Sequence, residues 1–162
     1  MSNSKKVQDY INKFKSNLGK YLNASESKQV GDLIIKFIKQ RSRSGKDING
    51  QKFDGLSGPY KDYRQRYKKN LHETTTPNKS NITATGQMLD SMKAEGKAGQ
   101  IVVNGPSGRR AKELDGKSRG GNNKDVARYV TEQGREFFGL TTEEKSRLIK
   151  EVKKTILSNL KK

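Results

Sequence analysis

Few side chains in this sequence belong to the types that perform catalysis. Its one histidine, His72, stands between Leu71 and Glu73, ahead of Thr74, Thr75 and Thr76, and the chain holds no cysteine. It therefore lacks the second imidazole or thiolate needed to share a metal or activate a nucleophile, and it reads as an ordinary loop or surface histidine. Asp47 and Asp54 flank a glycine-containing loop, but the alternating oxygen ligands closed by a glutamate that define a calcium loop are missing. Gly105-Pro-Ser-Gly108 has no Lys-Ser or Lys-Thr ending and reads as a turn rather than a phosphate loop. No catalytic residue, metal site or cofactor is expected, and a nuclease or other hydrolase, which needs clustered acids or a bound metal, is the weakest class.

What the sequence does carry is positive charge: Lys and Arg number 35 against 17 Asp and Glu, a net charge of +18 over 162 residues. Asn104 to Lys124 concentrates it, with Arg109, Arg110, Lys112, Lys117, Arg119 and Lys124 among five glycines and only two acids. One reading makes this insert a mobile arm that neutralises phosphates, each contact releasing counterions. A second aims it at an acidic protein surface. In the plainest reading, lysines spread over helix faces only solubilise the chain. Arg41, Arg43, Lys46 and Lys52 form a smaller basic set around another loop. Tyr60, Tyr63 and Tyr67 alternate with Lys61, Arg64, Arg66, Lys68 and Lys69, which suggests base stacking between phosphate contacts. The same spacing also suits a helix face docked on the core with its hydroxyls at the rim.

The elements that must position these groups are legible from periodicity. Val7, Ile11, Phe14, Leu18 and Leu22 share one face of an amphipathic helix. Asn23-Ala-Ser-Glu26 is a start signal for a second helix with the stripe Val30, Leu33, Ile34, Phe37 and Ile38, stopped by Gly45, although Gly19 and Gly31 weaken both segments without forbidding one long helix. A loop over 44–57 contains the turn pair Asn49-Gly50. Ser57 and Pro59 then open a helix carrying the tyrosines. Thr85 is expected to cap a short turn presenting Met88 and Leu89. Met92 to Asn104 reads as a hairpin turning at Gly96-Lys-Ala-Gly99. Val126 to Gln133 is helical or mixed, and Thr141-Thr-Glu-Glu144 opens a last helix bearing Leu148, Ile149, Val152, Ile156 and Leu157.

Leu, Ile, Val and Phe make up just under a fifth of the chain, at the border of disorder for a sequence this highly charged. Apolar burial contributes about 25 cal/mol per Å² and must offset ~1–2 kcal/mol per residue of backbone entropy. Burial between subunits, or contact with a polyanion, would restore the margin. The N-terminal residues contain no apolar block of the secretory kind, and Leu33-Ile-Ile-Lys-Phe-Ile38 is too short and too interrupted to span a membrane.

Three stretches, taken in order, carry a family resemblance. They are Ser42-Arg-Ser-Gly-Lys-Asp-Ile-Asn-Gly-Gln-Lys-Phe53 with Leu56-Ser57 and Tyr60; Ile82-Thr-Ala-Thr-Gly-Gln-Met-Leu-Asp-Ser91; and Val126-Ala-Arg-Tyr-Val with Gly134-Arg-Glu-Phe-Phe-Gly-Leu140 before a final helix. Together, from about Arg41 onward, they resemble the tail-completion and head-tail joining proteins of tailed bacteriophages, often labelled virion morphogenesis or minor tail proteins. The long basic insert and the high lysine content depart from that pattern.

The resemblance implies an α+β fold with N-terminal helices, a small antiparallel sheet with a long basic loop and a C-terminal helix. It divides as 1–43, helical, and 44–162, tail-completion-like, within one compact domain. It further implies a structural protein of the virion neck or tail top, assembled in the bacterial host cytoplasm as a homo-oligomeric ring, a hexamer or dodecamer. Its expected partners are neck or connector proteins and a tail tube or tail terminator protein, with packaged double-stranded DNA passing through. The motif residues expected to serve packing and assembly are Phe53, Leu56, Thr85, Gly86, Met88 and Leu89, then Arg135, Phe137, Phe138, Gly139 and Leu140. The alternative from charge alone is a small nucleic-acid-binding protein acting as a free factor.

Overall fold

The computed structural model describes residues 21–109, 112–117 and 120–161. The expected helix through Val7, Ile11, Phe14 and Leu18, and the insert residues Arg110 and Arg119, lie outside them. Among the described residues the fold is α+β, made of helices and one two-stranded antiparallel sheet. In chain order these are α1 (Ala24–Arg43), α2 (Gly58–Arg66), a 3-10 turn (Lys68–Asn70), α3 (Gln87–Asp90), β1 (Lys93–Lys97), β2 (Gln100–Asn104), α4 (Asn123–Glu132) and α5 (Thr142–Asn159). Contacts divide them into two compact units that interleave along the sequence. One takes its described residues from Met1–Ile35, Ala94–Val103 and Thr142–Lys162, the other from Lys36–Lys93 and Asn104–Thr141.

In the first unit, α1 starts as its sequence signal requires. Glu26 N–H donates to Asn23 Oδ1, and Asn23 N–H donates to Glu26 Oε2, both at 2.9 Å, which is a reciprocal capping box with Asn in the place of Ser or Thr. The buried line along α1 is Ser27, Val30, Gly31, Ile35, Ile38, Arg41 and Ser42, so the expected aliphatic stripe is displaced towards small and polar residues. At Gly31 the reason is close approach by the hairpin. A Cβ on Gly31 would stand 2.7 Å from Ala94 Cβ, and one on Gly96 would stand 2.2 Å from the Ala24 carbonyl oxygen. Gly96 is thus a packing residue inside β1 rather than part of the turn, which narrows to Ala98 and Gly99. Leu22, Val30, Ile35 and Ala94 are the buried apolar residues here. Asn159 Nδ2, at the end of α5, donates to the Tyr21 carbonyl and to Glu26 Oε1.

The second unit is built on Ile38, Phe53, Leu56, Met88, Leu89, Met92, Leu114 and Phe137, all buried. Pro59 lies in the first turn of α2 as expected, but Ser57 makes no side-chain capping bond. Nor does Thr85 cap α3: Gly86 holds that position at φ +78, and a Cβ there would meet His72 Cδ2 at 2.4 Å. Both the backbone angle and the neighbouring ring exclude a larger residue. Helix α4 begins three residues earlier than its apolar pattern suggests, because Asn122 caps it by accepting from Asp125 N–H at 2.9 Å.

Candidate functional site

The three stretches of the family resemblance meet in the second unit, around the last turns of α1. Arg41 is only 7% exposed, and its guanidinium donates to the carbonyl oxygens of Phe137 at 2.6 Å and Gly139 at 2.9 Å. Two residues on, Arg43 Nη2 lies 2.7 Å from Asp90 Oδ1, which Lys39 Nζ also reaches at 2.8 Å. The Arg43 carbonyl accepts from Asn81 Nδ2. Ile48 N–H donates to the Glu136 carbonyl, and Arg135 reaches the Asp54 carbonyl at 3.4 Å. Arg41 and Arg43 therefore tie this unit together, and Arg41 is too buried to serve as the polyanion contact expected of it.

Asp90 is the electrostatic hub of that junction. Partial burial pushes its carboxyl up, but the hydrogen-bonded Lys39 ammonium, with the Arg43 charge and the nearby His72 imidazole, outweighs this and holds it below the ordinary range. His72 Nε2 lies 3.7 Å from Asp90 Oδ2, while Nδ1 accepts from Thr74 N–H at 3.2 Å and lies 2.8 Å from Thr74 Oγ1. The histidine is thus a loop brace, as the sequence suggests. Asp47 has an equally local task, accepting from the N–H groups of Asn49 and Gln51. That short loop pairs Lys46 with Lys52 across an antiparallel bridge and leaves both exposed, while Phe53 and Leu56 are buried beneath it.

The tyrosine face of α2 forms as spaced: Tyr60 stacks on Tyr63 at 6.2 Å and Tyr63 meets Tyr67 edge-on at 5.1 Å. Arg64 does not join them as a phosphate contact. It is fully buried, donates to the Lys79 carbonyl and to Thr75 Oγ1, and burial lowers its pKa from the ordinary arginine value.

The basic insert is held at several points, against the expectation of a mobile arm. Leu114 is 2% exposed and its carbonyl accepts from Asn70 Nδ2 at 2.6 Å. Gln87 Nε2 donates to the Lys112 carbonyl at 2.6 Å, and Lys112 N–H donates back to Gln87 Oε1 at 3.4 Å. Ser107 N–H donates to Ser91 Oγ, Asn123 Nδ2 donates to the Ser107 carbonyl, and Arg109 bridges Asn122 in antiparallel fashion. Arg109, Lys112, Lys117 and Lys124 remain exposed on this anchored frame. An open concavity of about 630 Å³ lies at its root, lined by Arg109, Lys124, Gly108, Gly120 and Gly121, with Ser107 and Asn122 beside them.

Of the remaining motif residues, Met88, Leu89 and Phe137 are buried, Thr85, Arg135, Gly139 and Leu140 are partly exposed, and Phe138 is 47% exposed. Sequence reasoning missed Gln87, Asn70 and Leu114 as anchors. The lone large aliphatic residue of the insert, Leu114, was the available signal. Among the described residues no group of three or more His, Asp or Glu is placed to hold a metal, and no helix is long and apolar enough to cross a membrane. Comparison of the chain with protein-family models, curated proteins and solved structures gives no match.

Proposed function

We propose that this chain is a non-enzymatic structural protein of the neck or tail top of a tailed bacteriophage, forming a homo-oligomeric ring between head connector and tail tube. DNA passes through that ring, and the basic loops grip the neighbouring protein or the DNA. The observation that supports this reading is the convergence of the three resembling stretches near one helix end, where Ile48 N–H on the Glu136 carbonyl joins the first to the third and Arg43 on Asp90 joins the first to the second, with Arg41, just ahead of the first stretch, also held by the third. Motifs scattered over about a hundred residues thus lie together in one compact unit. An exposed aromatic, Phe138, beside a buried one, Phe137, gives that module an apolar edge suited to a repeated contact between subunits. Heterologous contacts repeated around a closed ring would supply the burial that a core this lean leaves wanting.

Electron microscopy of the purified chain, alone and with a tail tube protein, tests the reading. Closed rings that cap tube ends are the expected result. A strict monomer that binds random duplex, with affinity falling steeply between low and moderate salt, would instead favour the free nucleic-acid-binding factor.

A further inference from the structure

The concavity at the root of the insert has a composition that selects its ligand. Among the described residues its lining carries two cations, Arg109 and Lys124, and no acid. These cations are distant in sequence, and the antiparallel bridge between Arg109 and Asn122 holds the two ends of the insert side by side, placing both on the same wall. Beside them the described lining consists of Ser107, Asn122 and three glycines. Gly108, Gly120 and Gly121 take φ values of +79, +76 and +85, and a Cβ on any of them would meet nothing within 4 Å. The left-handed backbone favours glycine at all three positions, and with no side chain there a ligand can come directly against the main chain. The first turn of α4 contributes less, since Asn122 already caps it by accepting from Asp125 N–H. Recognition rests on the paired cations and the glycine backbone.

We infer that this concavity is a seat for the phosphodiester backbone of nucleic acid, with Arg109 and Lys124 each neutralising a phosphate. The guanidinium fork of Arg109 suits a tetrahedral oxyanion, and the open wall suits a polymer that runs through rather than a small anion that must be enclosed. The net charge of +18 draws such a polymer towards the chain. With both cations assigned to phosphates rather than base edges, and no aromatic platform for a base among the described lining residues, binding is indifferent to sequence. This inference rests on the reading of the basic insert as a contact surface and deepens it by choosing nucleic acid over an acidic protein.

The test measures binding of the full-length chain to a random-sequence 20-base-pair duplex by fluorescence anisotropy over a range of salt. The wild type is compared with Arg109→Gln/Lys124→Gln and with Lys153→Gln/Lys154→Gln, which removes the same charge from exposed positions of α5. A charge-keeping Arg109→Lys/Lys124→Arg variant and thermal melts of every sample separate charge loss from misfolding. The seat variant is expected to bind about tenfold more weakly. Its slope of log affinity against log salt should be shallower by about 1.8, at ~0.9 for each phosphate that is no longer neutralised. The α5 variant should lose much less, and the charge-keeping variant should retain the wild-type slope.

Equal losses in the seat and α5 variants would overturn the inference, since charge alone would then explain binding. So would displacement of the duplex by polyglutamate at lower charge concentration than by unlabelled duplex, which would point to an acidic protein. Electron microscopy of the same samples keeps the two proposals apart. Rings without a selective loss sink the phosphate seat and leave the neck reading standing, and a selective loss without rings does the reverse.

Discussion

The side-chain amide of Gln87 pairs with the backbone of Lys112 on both sides, donating to its carbonyl at 2.6 Å and accepting from its N–H at 3.4 Å. This is the pattern one strand offers another, made here by a single side chain across 25 residues of sequence. It couples the short helix of the second motif to the middle of the basic insert. Each such bond at the surface contributes about 0.5–1.5 kcal/mol. Gln87→Ala should therefore release the insert locally, while any global loss shifts the melting midpoint by about 2–4 °C for each kcal/mol. Limited trypsin digestion gives the check: cleavage at Arg109, Lys112 or Lys117 should accelerate several-fold, and an unchanged rate would mean that the remaining anchors at Leu114, Ser107 and Arg109 suffice.

Adjacent phenylalanines make opposite predictions. Phe137 is 1% exposed and meets Phe138 edge-on at 6.4 Å, whereas Phe138 is 47% exposed. Truncating the buried ring leaves a cavity, and Phe137→Ala should cost about 3–5 kcal/mol in urea unfolding. Phe138→Ser should leave stability within about 0.5 kcal/mol of wild type. It should nevertheless reduce self-association in sedimentation velocity. A variant that unfolds early, or one that associates normally, would remove Phe138 from the proposed subunit contact.

The Asp90 junction predicts a specific acid sensitivity. Its folded pKa lies below the ordinary value, so the unfolded chain takes up the proton first as pH falls. The carboxylate therefore contributes stability that is fully present above about pH 4 and is lost as the pH falls through the lower folded value. Its side chain is 43% exposed, and solvent screening keeps the net contribution under about 1 kcal/mol. Asp90→Asn should be slightly less stable than wild type at pH 7. The gap should close on acidification in thermal melts recorded from pH 7 to pH 2. A gap that persists at pH 2 would mean that geometry, rather than charge, sets the role of Asp90.

Local grammar was legible where a short-range bond decides the outcome: the Asn23–Glu26 box, Pro59 in the first turn of α2 and the Asn49-Gly50 turn all follow from neighbours in sequence. The cationic side chains were legible only as charge. Arg41, Arg43, Arg64 and Lys112 look alike in a sequence, yet Arg41 and Arg64 are buried struts, Arg43 is an ion-pair partner and Lys112 is held by its backbone. Which of these an arginine becomes depends on carbonyls brought up from as far as 98 residues away, as with Gly139 and Arg41. Periodicity cannot register such partners. Thr85 has the residue type of a cap, but the left-handed turn at Gly86 places glycine at the cap position.

Gly31 offers the sharpest test of how the hairpin seats on α1. Propensity alone favours Gly31→Ala, since alanine is better than glycine in a helix interior by ~1 kcal/mol. Packing opposes it: the new methyl would lie 2.7 Å from Ala94 Cβ and 3.4 Å from Ile101 Cγ2. A Cβ has no rotamer by which to retreat, so the strand must lift. Overpacking of this kind costs about 1–3 kcal/mol and should outweigh the gain. Gly31→Ala is expected to lower the urea midpoint, and Gly31→Ala/Ala94→Gly, which returns the missing volume, should recover stability with a coupling of about 0.5–3 kcal/mol. The sign of the single variant decides the matter, because stabilisation by Gly31→Ala would mean that the hairpin does not press on α1 at this point.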